Sequence, residues 1–216
     1  ETHAASMRKM ILAMVKDIRV IVIKLSDRVH NMSTIAAMPP KKQAKKARET
    51  LEIYVPLANR LGMYSYKSKL EDLCFKALYP LRHDVLDKCV KAARGHRRKV
   101  LEKIHQKIAS HLIQNGIDPS LLTGRQKRLY SIFKKMRHRR QSFTEIMDVY
   151  AFRIIAPDVN MCYQLVGVVH NLFTPIPGRF KDYIAIPKSN GYQSLHTSLY
   201  GPHGIPLEIQ IRTNEM

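Results

Sequence analysis

The sequence has few cysteines, few acidic residues and no long apolar run that is free of charge. Cys74, Cys89 and Cys162 lie far apart and match no metal-ligand spacing, which excludes a disulfide framework and a zinc knuckle. Charged residues interrupt the apolar run at residues 10–25, which excludes a membrane span and predicts a buried helix. With no secretory signal visible, a reducing cytoplasm fits best.

The shortage of acids leaves a strong positive charge. There are 37 Lys and Arg residues against 17 Asp and Glu, so the formal net charge is +20. Such a surface attracts phosphate in nucleic acid, in acidic lipid or in nucleotides, and composition leaves all three open. The 216 residues suffice for one sizeable domain or two small ones, and a start at Glu1 predicts a piece of a larger protein.

The first half of the chain has helical patterns almost throughout. Residues 41–62 have apolar positions at helical spacing, interrupted by Pro56 and closed by Gly62. In residues 100–116 an apolar residue recurs every fourth position up to an Asn-Gly stop signal. The basic residues 94–99 between these segments are predicted to form a flexible, solvated connection.

Near residue 117 the pattern changes to alternating helix and strand. A helix is predicted for residues 159–173, and residues 201–204 have the composition of a hairpin turn. Four short segments rich in β-branched or aromatic residues predict strands: residues 149–156, 183–187, 194–200 and 206–213.

Residues 124–140 carry eight Lys or Arg and predict a basic helix with two faces. Its apolar stripe consists of Leu129, Ile132, Phe133 and Met136. The other side aligns Lys127, Ser131 and Lys135, with Arg125 in the first turn. This face can hold a polyphosphate. By itself, however, such a run of charge is more often a solvated surface, and it also fits a helix that tracks a nucleic-acid phosphate backbone.

Two carboxylates stand out in this basic half. Glu208 lies on the polar side of an alternating strand, and Asp148 immediately precedes another predicted strand. If the sheet brings these strands together, the pair can bind Mg²⁺, which prefers oxygen ligands and is usually held by one or two carboxylates plus substrate phosphates.

The segment KDYIAIPKSNGYQSLHT, residues 181–197, has the composition of a binding segment. Tyr192 directly follows the turn-forming pair Asn190-Gly191, with lysines before it and His196 after it. An aromatic ring gives a base a stacking surface, glycine permits close approach of the backbone, and lysines pair with phosphates.

Four motifs together resemble the synthetase half of the RelA/SpoT homologue family, whose enzymes make and degrade the alarmone (p)ppGpp. In chain order they are GRQKRLYSIFKKM, IMDVYAFRII, GRFKDYIAIPKSNGYQSLHT and LEIQIRT. RFKD at residues 179–182 is similar to the basic form in bifunctional members, so the SpoT type of proteobacteria is the nearest match.

The resemblance implies an α+β chain. An all-α N-terminal part, the remnant of an HD-type hydrolase domain with linking helices, would precede a nucleotidyltransferase-like mixed β-sheet domain with flanking helices. The expected domains are residues 1–84 for the hydrolase remnant and central helices, 85–116 for linking helices, and 117–216 for a synthetase domain that stops short of the family's full length.

The implied reaction is transfer of pyrophosphate from ATP to the 3′-oxygen of GDP or GTP. Carried over by position, Asp148 would hold Mg²⁺. Glu208 would help to bind the metal and would assist deprotonation of the acceptor's 3′-hydroxyl, and Tyr192 would stack on guanine. The residues implied for the ATP phosphates are Arg125, Lys127, Ser131 and Lys135. Those implied for the GDP or GTP pocket are Arg179, Lys181, Lys188, Asn190 and His196.

KLSDRVHNM, residues 24–32, is similar to the family's hydrolase half. There Asp27 would be the later Asp of a Mn²⁺ site and Asn31 a nucleotide-pocket residue, but the upstream His and His-Asp pair are absent. The expectation is therefore no hydrolysis of (p)ppGpp. The implied partners are ATP and GDP or GTP, with no membrane, no sequence-specific nucleic acid and no regulatory domains on this chain.

Overall fold

The computed structural model describes residues 17–118, 122–124, 128–140, 142–147 and 150–216. The chain divides into two compact units, Glu1–His83 and Asp84–Met216. Within the described ranges, no helix combines the length and the apolar character that crossing a membrane requires.

The described residues of the first unit, 17–83, are mostly helical. Its helices are α1 (Ile18–Ser33), α2 (Pro40–Glu49), α3 (Val55–Arg60) and α4 (Tyr64–Leu78), with a short 3-10 turn at Ile35–Ala37. Of the buried helix predicted at residues 10–25, residues 10–16 lie outside the described residues, and the remainder is buried on one face of α1 only. Ile21 and Leu25 lie in the core, whereas Ile18 and Ile23 are 63% and 67% exposed.

A wider helical turn, Thr50–Tyr54, joins α2 to α3. Pro56, the second residue of α3, has no N–H, and its ring conflicts with the carbonyl one turn earlier. A π-type turn absorbs this conflict, so the predicted interruption is a local widening and not a break. Gly62, at φ 69°, closes the segment as predicted.

The long helix α5, Pro80–Gln114, runs without a break through residues 94–99. The prediction of a flexible connection there is wrong. Lys and Arg are good helix formers, and Arg98 pairs with Glu102 one turn later at 2.8 Å. The single Gly95 costs only about 1 kcal/mol. The helix ends before Asn115-Gly116 as predicted, with Gly116 at φ 72°.

The second unit contains a mixed sheet of six strands. These are β1 (Leu122–Gly124), β2 (Tyr150–Ala156), β3 (Thr174–Pro175), β4 (Lys181–Asp182), β5 (Leu195–Tyr200) and β6 (Pro206–Thr213). Their order is β1-β2-β6-β5-β3, and β4 also pairs with β5. β2 and β6 run parallel, and the other pairs are antiparallel.

Three of the four predicted strands are confirmed, and the strand predicted for residues 183–187 is wrong. Residues 183–185 form a turn instead. The Asp182 carboxylate accepts hydrogen bonds from the backbone N–H groups of Ile184 and Ala185, which folds the chain back. β5 and β6 form the predicted hairpin through the 3-10 turn Pro202–Gly204.

One face of the sheet carries the core. Phe152, Ile209 and Ile211 are almost fully buried there. They pack against helix α8, Val159–Leu172, and against the every-fourth-residue stripe of α5. The opposite face, here called the polar face, carries Glu208, Gln210 and His196.

The basic helix, α6, spans Leu129–Arg139. It begins later than predicted, because Gly124 ends strand β1 and Arg128 is extended. Its predicted apolar stripe is confirmed. Ile132 is buried in a cluster with α5 and with the short helix α7, Phe143–Met147, and Leu129 and Met136 pack against that cluster. Phe133 is buried as well.

Candidate active site

The strand register places one row of polar residues across the polar face. Cross-strand partners share a face of a sheet, with Cβ atoms about 5 Å apart. The row contains Thr123 of β1, Arg153 of β2, Gln210 of β6, His196 of β5 and Lys181 of β4. The neighbouring row contains Ala151, Glu208 and Ser198. Residues far apart in sequence therefore face the same space.

Glu208 stands at the centre of this face with its side chain 27% exposed. The Gln210 side-chain amide donates a hydrogen bond to Glu208 Oε1 over 3.2 Å. The Nδ1 atom of His196 lies 3.7 Å from the same oxygen. Gln210 is only 2% exposed. A buried amide that donates to a carboxylate fixes the direction in which that carboxylate points.

His196 also meets Tyr192. The Tyr192 hydroxyl lies 2.8 Å from His196 Nε2, and the two rings are nearly perpendicular, with centroids 5.8 Å apart. Tyr183 lies edge-on to both rings. Tyr192, His196 and Glu208, all predicted site residues, are thus in direct contact along one line.

The turn before Tyr192 has the predicted Asn-Gly geometry. Gly191 is at φ 72° and donates its N–H to the Lys188 carbonyl, while the Asn190 side chain accepts from the Tyr192 N–H. The Lys188 ammonium lies 5.0 Å from the centroid of the Tyr192 ring and 4.4 Å from that of Tyr183. The turn brings a cation next to an aromatic face.

Asp182 holds the loop that leads to this turn. Besides the two backbone N–H groups, it accepts a hydrogen bond from the Tyr163 hydroxyl of α8 over 3.0 Å. Partial burial raises the pKa of the Asp182 carboxyl, but the hydrogen bonds from Ala185, Tyr163 and Ile184 outweigh it, so the pKa lies below its ordinary value. The carboxylate is therefore part of the scaffold of the site.

The remaining predicted residues of the second unit are placed as follows. Ser131 is exposed on α6, and Lys135, one turn later, is half-buried. Arg179 is exposed in the loop before β4, and Lys181 is exposed on β4 opposite His196. Three predicted site residues lie outside the described residues: Arg125, Lys127 and Asp148.

In the first unit, Asp27 and Asn31 lie one turn apart on α1. The Asn31 side-chain amide donates to Asp27 Oδ2 over 3.1 Å, and Asp27 is exposed. The helical spacing therefore aligns the two predicted hydrolase residues on one side of the helix.

The Glu208 carboxylate suits a metal ion that is held partly by the protein and partly by a bound substrate. Across the described ranges, no group of three or more His, Cys, Asp or Glu side chains is placed to hold a metal ion. Mg²⁺ does not need such a cage, because it keeps waters and substrate phosphates around one or two carboxylates. The half-buried Glu208 carboxylate fits that mode of binding.

Sequence reasoning missed Gln210 and the scaffold role of Asp182. Gln210 was recognisable, because period-2 alternation puts it on the same face as Glu208. Nothing in the sequence indicated the Tyr163 contact of Asp182, which spans 19 positions.

Two protein-family models match the chain. One, described as "Region found in RelA / SpoT proteins", matches residues 124–216. The other, described as "HD domain", matches residues 1–64. The two matches fall on the sheet-containing part and on the helical N-terminal part, in agreement with the predicted α+β class.

Curated relatives match over the full chain. "Bifunctional (p)ppGpp synthase/hydrolase SpoT" of Escherichia coli (strain K12) is 56% identical over 216 residues, which are 100% of this chain and 31% of that protein. "GTP pyrophosphokinase" of Myxococcus xanthus is 48% identical over 216 residues, which are 100% of this chain and 28% of that protein. The chain thus spans less than a third of the length of either relative.

Among solved structures, small alarmone synthetase 1 from Bacillus subtilis matches at 26% identity and a TM-score of 0.46, over 58% of this chain and 72% of its own.

On the two family models and on the identity to both curated relatives, the chain belongs to the RelA/SpoT family.

Proposed function

We propose that the second unit transfers pyrophosphate from ATP to the 3′-oxygen of GDP or GTP, giving ppGpp or pppGpp and AMP. The observation that carries the proposal is the contact line of Tyr192, His196 and Glu208 on the polar face, in a chain of this family. It puts an aromatic platform beside a carboxylate base. The activity agrees with the printed name of the Myxococcus relative.

The acceptor nucleotide binds at the turn of residues 188–192. The Tyr192 ring stacks on guanine, and Asn190-Gly191 lets the backbone approach the base. Arg179, Lys181 and Lys188 pair with the acceptor phosphates, which suits their exposed positions. His196 completes the pocket from the polar face.

ATP binds along the exposed side of α6. The apolar stripe of this helix faces its core cluster, so Ser131 and Lys135 lie on the remaining side. Arg125 and Lys127, which precede the helix in sequence, complete the phosphate contacts.

Glu208 acts as the general base. It takes the proton of the acceptor 3′-hydroxyl as the 3′-oxygen attacks the β-phosphorus of ATP. A new O3′–P bond forms while the bond from that phosphorus to the bridging α,β-oxygen breaks, and AMP leaves with the electron pair. In such transfers the rate acceleration comes mainly from positioning of the reacting groups and from electrostatic stabilisation of the transition state.

Asp148 and Glu208 hold Mg²⁺. Supporting this, Tyr150 pairs with Leu207 and Ala151 with Glu208, so the chain enters β2 beside Glu208. Glu208 supplies oxygen ligands of the hard type that Mg²⁺ prefers. When bound, the ion would neutralise charge on the ATP phosphates.

For the first unit we propose that Asp27 and Asn31 belong to a hydrolase site for Mn²⁺ and nucleotide. Their alignment on α1 supports this. One carboxylate does not hold a catalytic metal firmly, so Asp27 and Asn31 alone do not support hydrolysis of ppGpp. We also assign the protein to the cytoplasm.

The test is incubation of the chain with ATP, GDP and Mg²⁺, with AMP and ppGpp separated by chromatography. We expect both products, and their loss in Glu208→Gln. Glu215→Gln, an exposed Glu near the same end of the chain, is the matched control and should retain them. Unchanged turnover by Glu208→Gln would remove Glu208 from the mechanism. RNA binding with a steep salt dependence and no AMP would favour an RNA-binding module instead.

A further inference from the structure

Stacking on a base needs the ring of Tyr192 but not its hydroxyl. That hydroxyl is nevertheless engaged with His196 Nε2 at 2.8 Å, within the range of a good hydrogen bond. A phenylalanine would offer the same stacking face. The engaged hydroxyl therefore needs an explanation beyond base recognition.

The second nitrogen of the same imidazole faces the proposed base. His196 Nδ1 lies 3.7 Å from Glu208 Oε1, which is beyond hydrogen-bond length but close enough for an N–H dipole to attract a carboxylate. With the Tyr192 hydroxyl donating to Nε2, a neutral imidazole carries its hydrogen on Nδ1. That N–H then faces the carboxylate.

Side chains from two strands contact the Glu208 carboxylate. Gln210, on the same strand, donates to Oε1, and His196, on β5, approaches the same atom. His196 and Gln210 are direct cross-strand partners. The pairing of β5 with β6 thus places His196 beside Gln210, and the Tyr192 hydroxyl fixes the rotation of the imidazole ring.

We propose that Tyr192 has a second role besides stacking: through its hydroxyl and His196 it orients the Glu208 carboxylate for proton removal. His196 is in this respect a positioning residue, which links the guanine platform to the base. The inference rests on the proposed function of the site, which it deepens. It predicts that ring and hydroxyl of Tyr192 affect different kinetic constants.

The test compares Tyr192→Phe with Tyr192→Ala in the full chain, with AMP formation measured against GDP concentration. Tyr192→Phe keeps the ring, so we expect kcat to fall about tenfold and the KM for GDP to stay within about twofold. Tyr192→Ala should raise that KM as well. Tyr200→Phe removes an exposed hydroxyl from β5 outside the site and should leave both constants unchanged.

A double-mutant cycle provides the second measurement. In the His196→Ala background the contact between the hydroxyl and His196 is gone, so adding Tyr192→Phe should lower kcat no further. Equal fractional losses in both backgrounds would overturn the proposal. So would a Tyr192→Phe variant with raised KM and unchanged kcat, because its hydroxyl would then contact the nucleotide.

The proposed function can fail separately. If the wild-type chain forms no AMP, that function is refuted and this inference falls with it. If the wild type forms AMP and Tyr192→Phe matches it in both constants, only the positioning role is refuted.

Discussion

The Tyr163 hydroxyl donates a hydrogen bond to the Asp182 carboxylate over 3.0 Å and thereby ties helix α8 to the loop before the Asn-Gly turn. The same carboxylate accepts the N–H groups of Ile184 and Ala185. An ionised carboxylate is the better acceptor for all three donors, so its charge stabilises this loop.

The first prediction follows from the lowered pKa of Asp182. A carboxyl with a lower pKa in the folded state stabilises the protein above its unfolded-state pKa, and this contribution is lost as the pH falls through the folded-state pKa. Asp182→Asn should therefore lower the urea midpoint at pH 7, and the difference from wild type should shrink below about pH 4. Urea titrations at several pH values measure it. A difference independent of pH would contradict the role of the charge.

The second prediction concerns base stacking. Tyr192→Ala should weaken GDP binding by about 1–3 kcal/mol, because an aromatic ring loses its contact with the base. Isothermal titration calorimetry with GDP measures the change. Tyr200→Ala, with a side chain that is 47% exposed, is the matched control. Equal affinities of wild type and Tyr192→Ala would place guanine elsewhere.

The third prediction concerns the thiols. Burial raises the pKa of Cys74 to about 12 and that of Cys162 to about 11, whereas Cys89 is exposed. Since the thiolate is the reactive form, Cys89 should react with a thiol reagent at pH 8 well before the other two. Mass spectrometry after short labelling identifies the site. Equal labelling of all three would contradict the burial of Cys74 and Cys162.

The fourth prediction concerns the core beneath the site. Ile209 is fully buried on the apolar face of β6, directly between Glu208 and Gln210 in sequence. Ile209→Ala should lower the free energy of unfolding by about 2–5 kcal/mol, through lost burial and a cavity. Ile186→Ala, at a position 76% exposed, should change it little. Chemical denaturation compares the two variants, and similar losses in both would argue against the register of β6.

Local patterns in the sequence were sufficient for several elements. The alternation in residues 206–213 predicted both the strand and the face of Glu208, because successive side chains of a strand point to opposite sides. The stop signal at Asn115-Gly116 predicted the end of α5, because glycine adopts the left-handed conformation without strain. The apolar stripe of α6 was predicted from helical spacing, because residues three and four positions apart lie on the same face of a helix.

Two predictions were wrong where a neighbouring residue or the flanking helix overrode the composition of a short segment. Residues 183–187 have strand-forming composition, but the Asp182 side chain captures their backbone N–H groups. Residues 94–99 contain a glycine among cations, but the helices on both sides continue through them.

The sequence by itself determined the family motifs, the positive charge and the residue types of the candidate site, since these depend only on the order of side chains along the chain. The tertiary structure decided that Tyr192, His196 and Glu208 meet, and that Gln210 joins them. The reason is strand register: the backbone hydrogen bonds that pair β5 with β6 across their hairpin set which side chains lie side by side on the polar face.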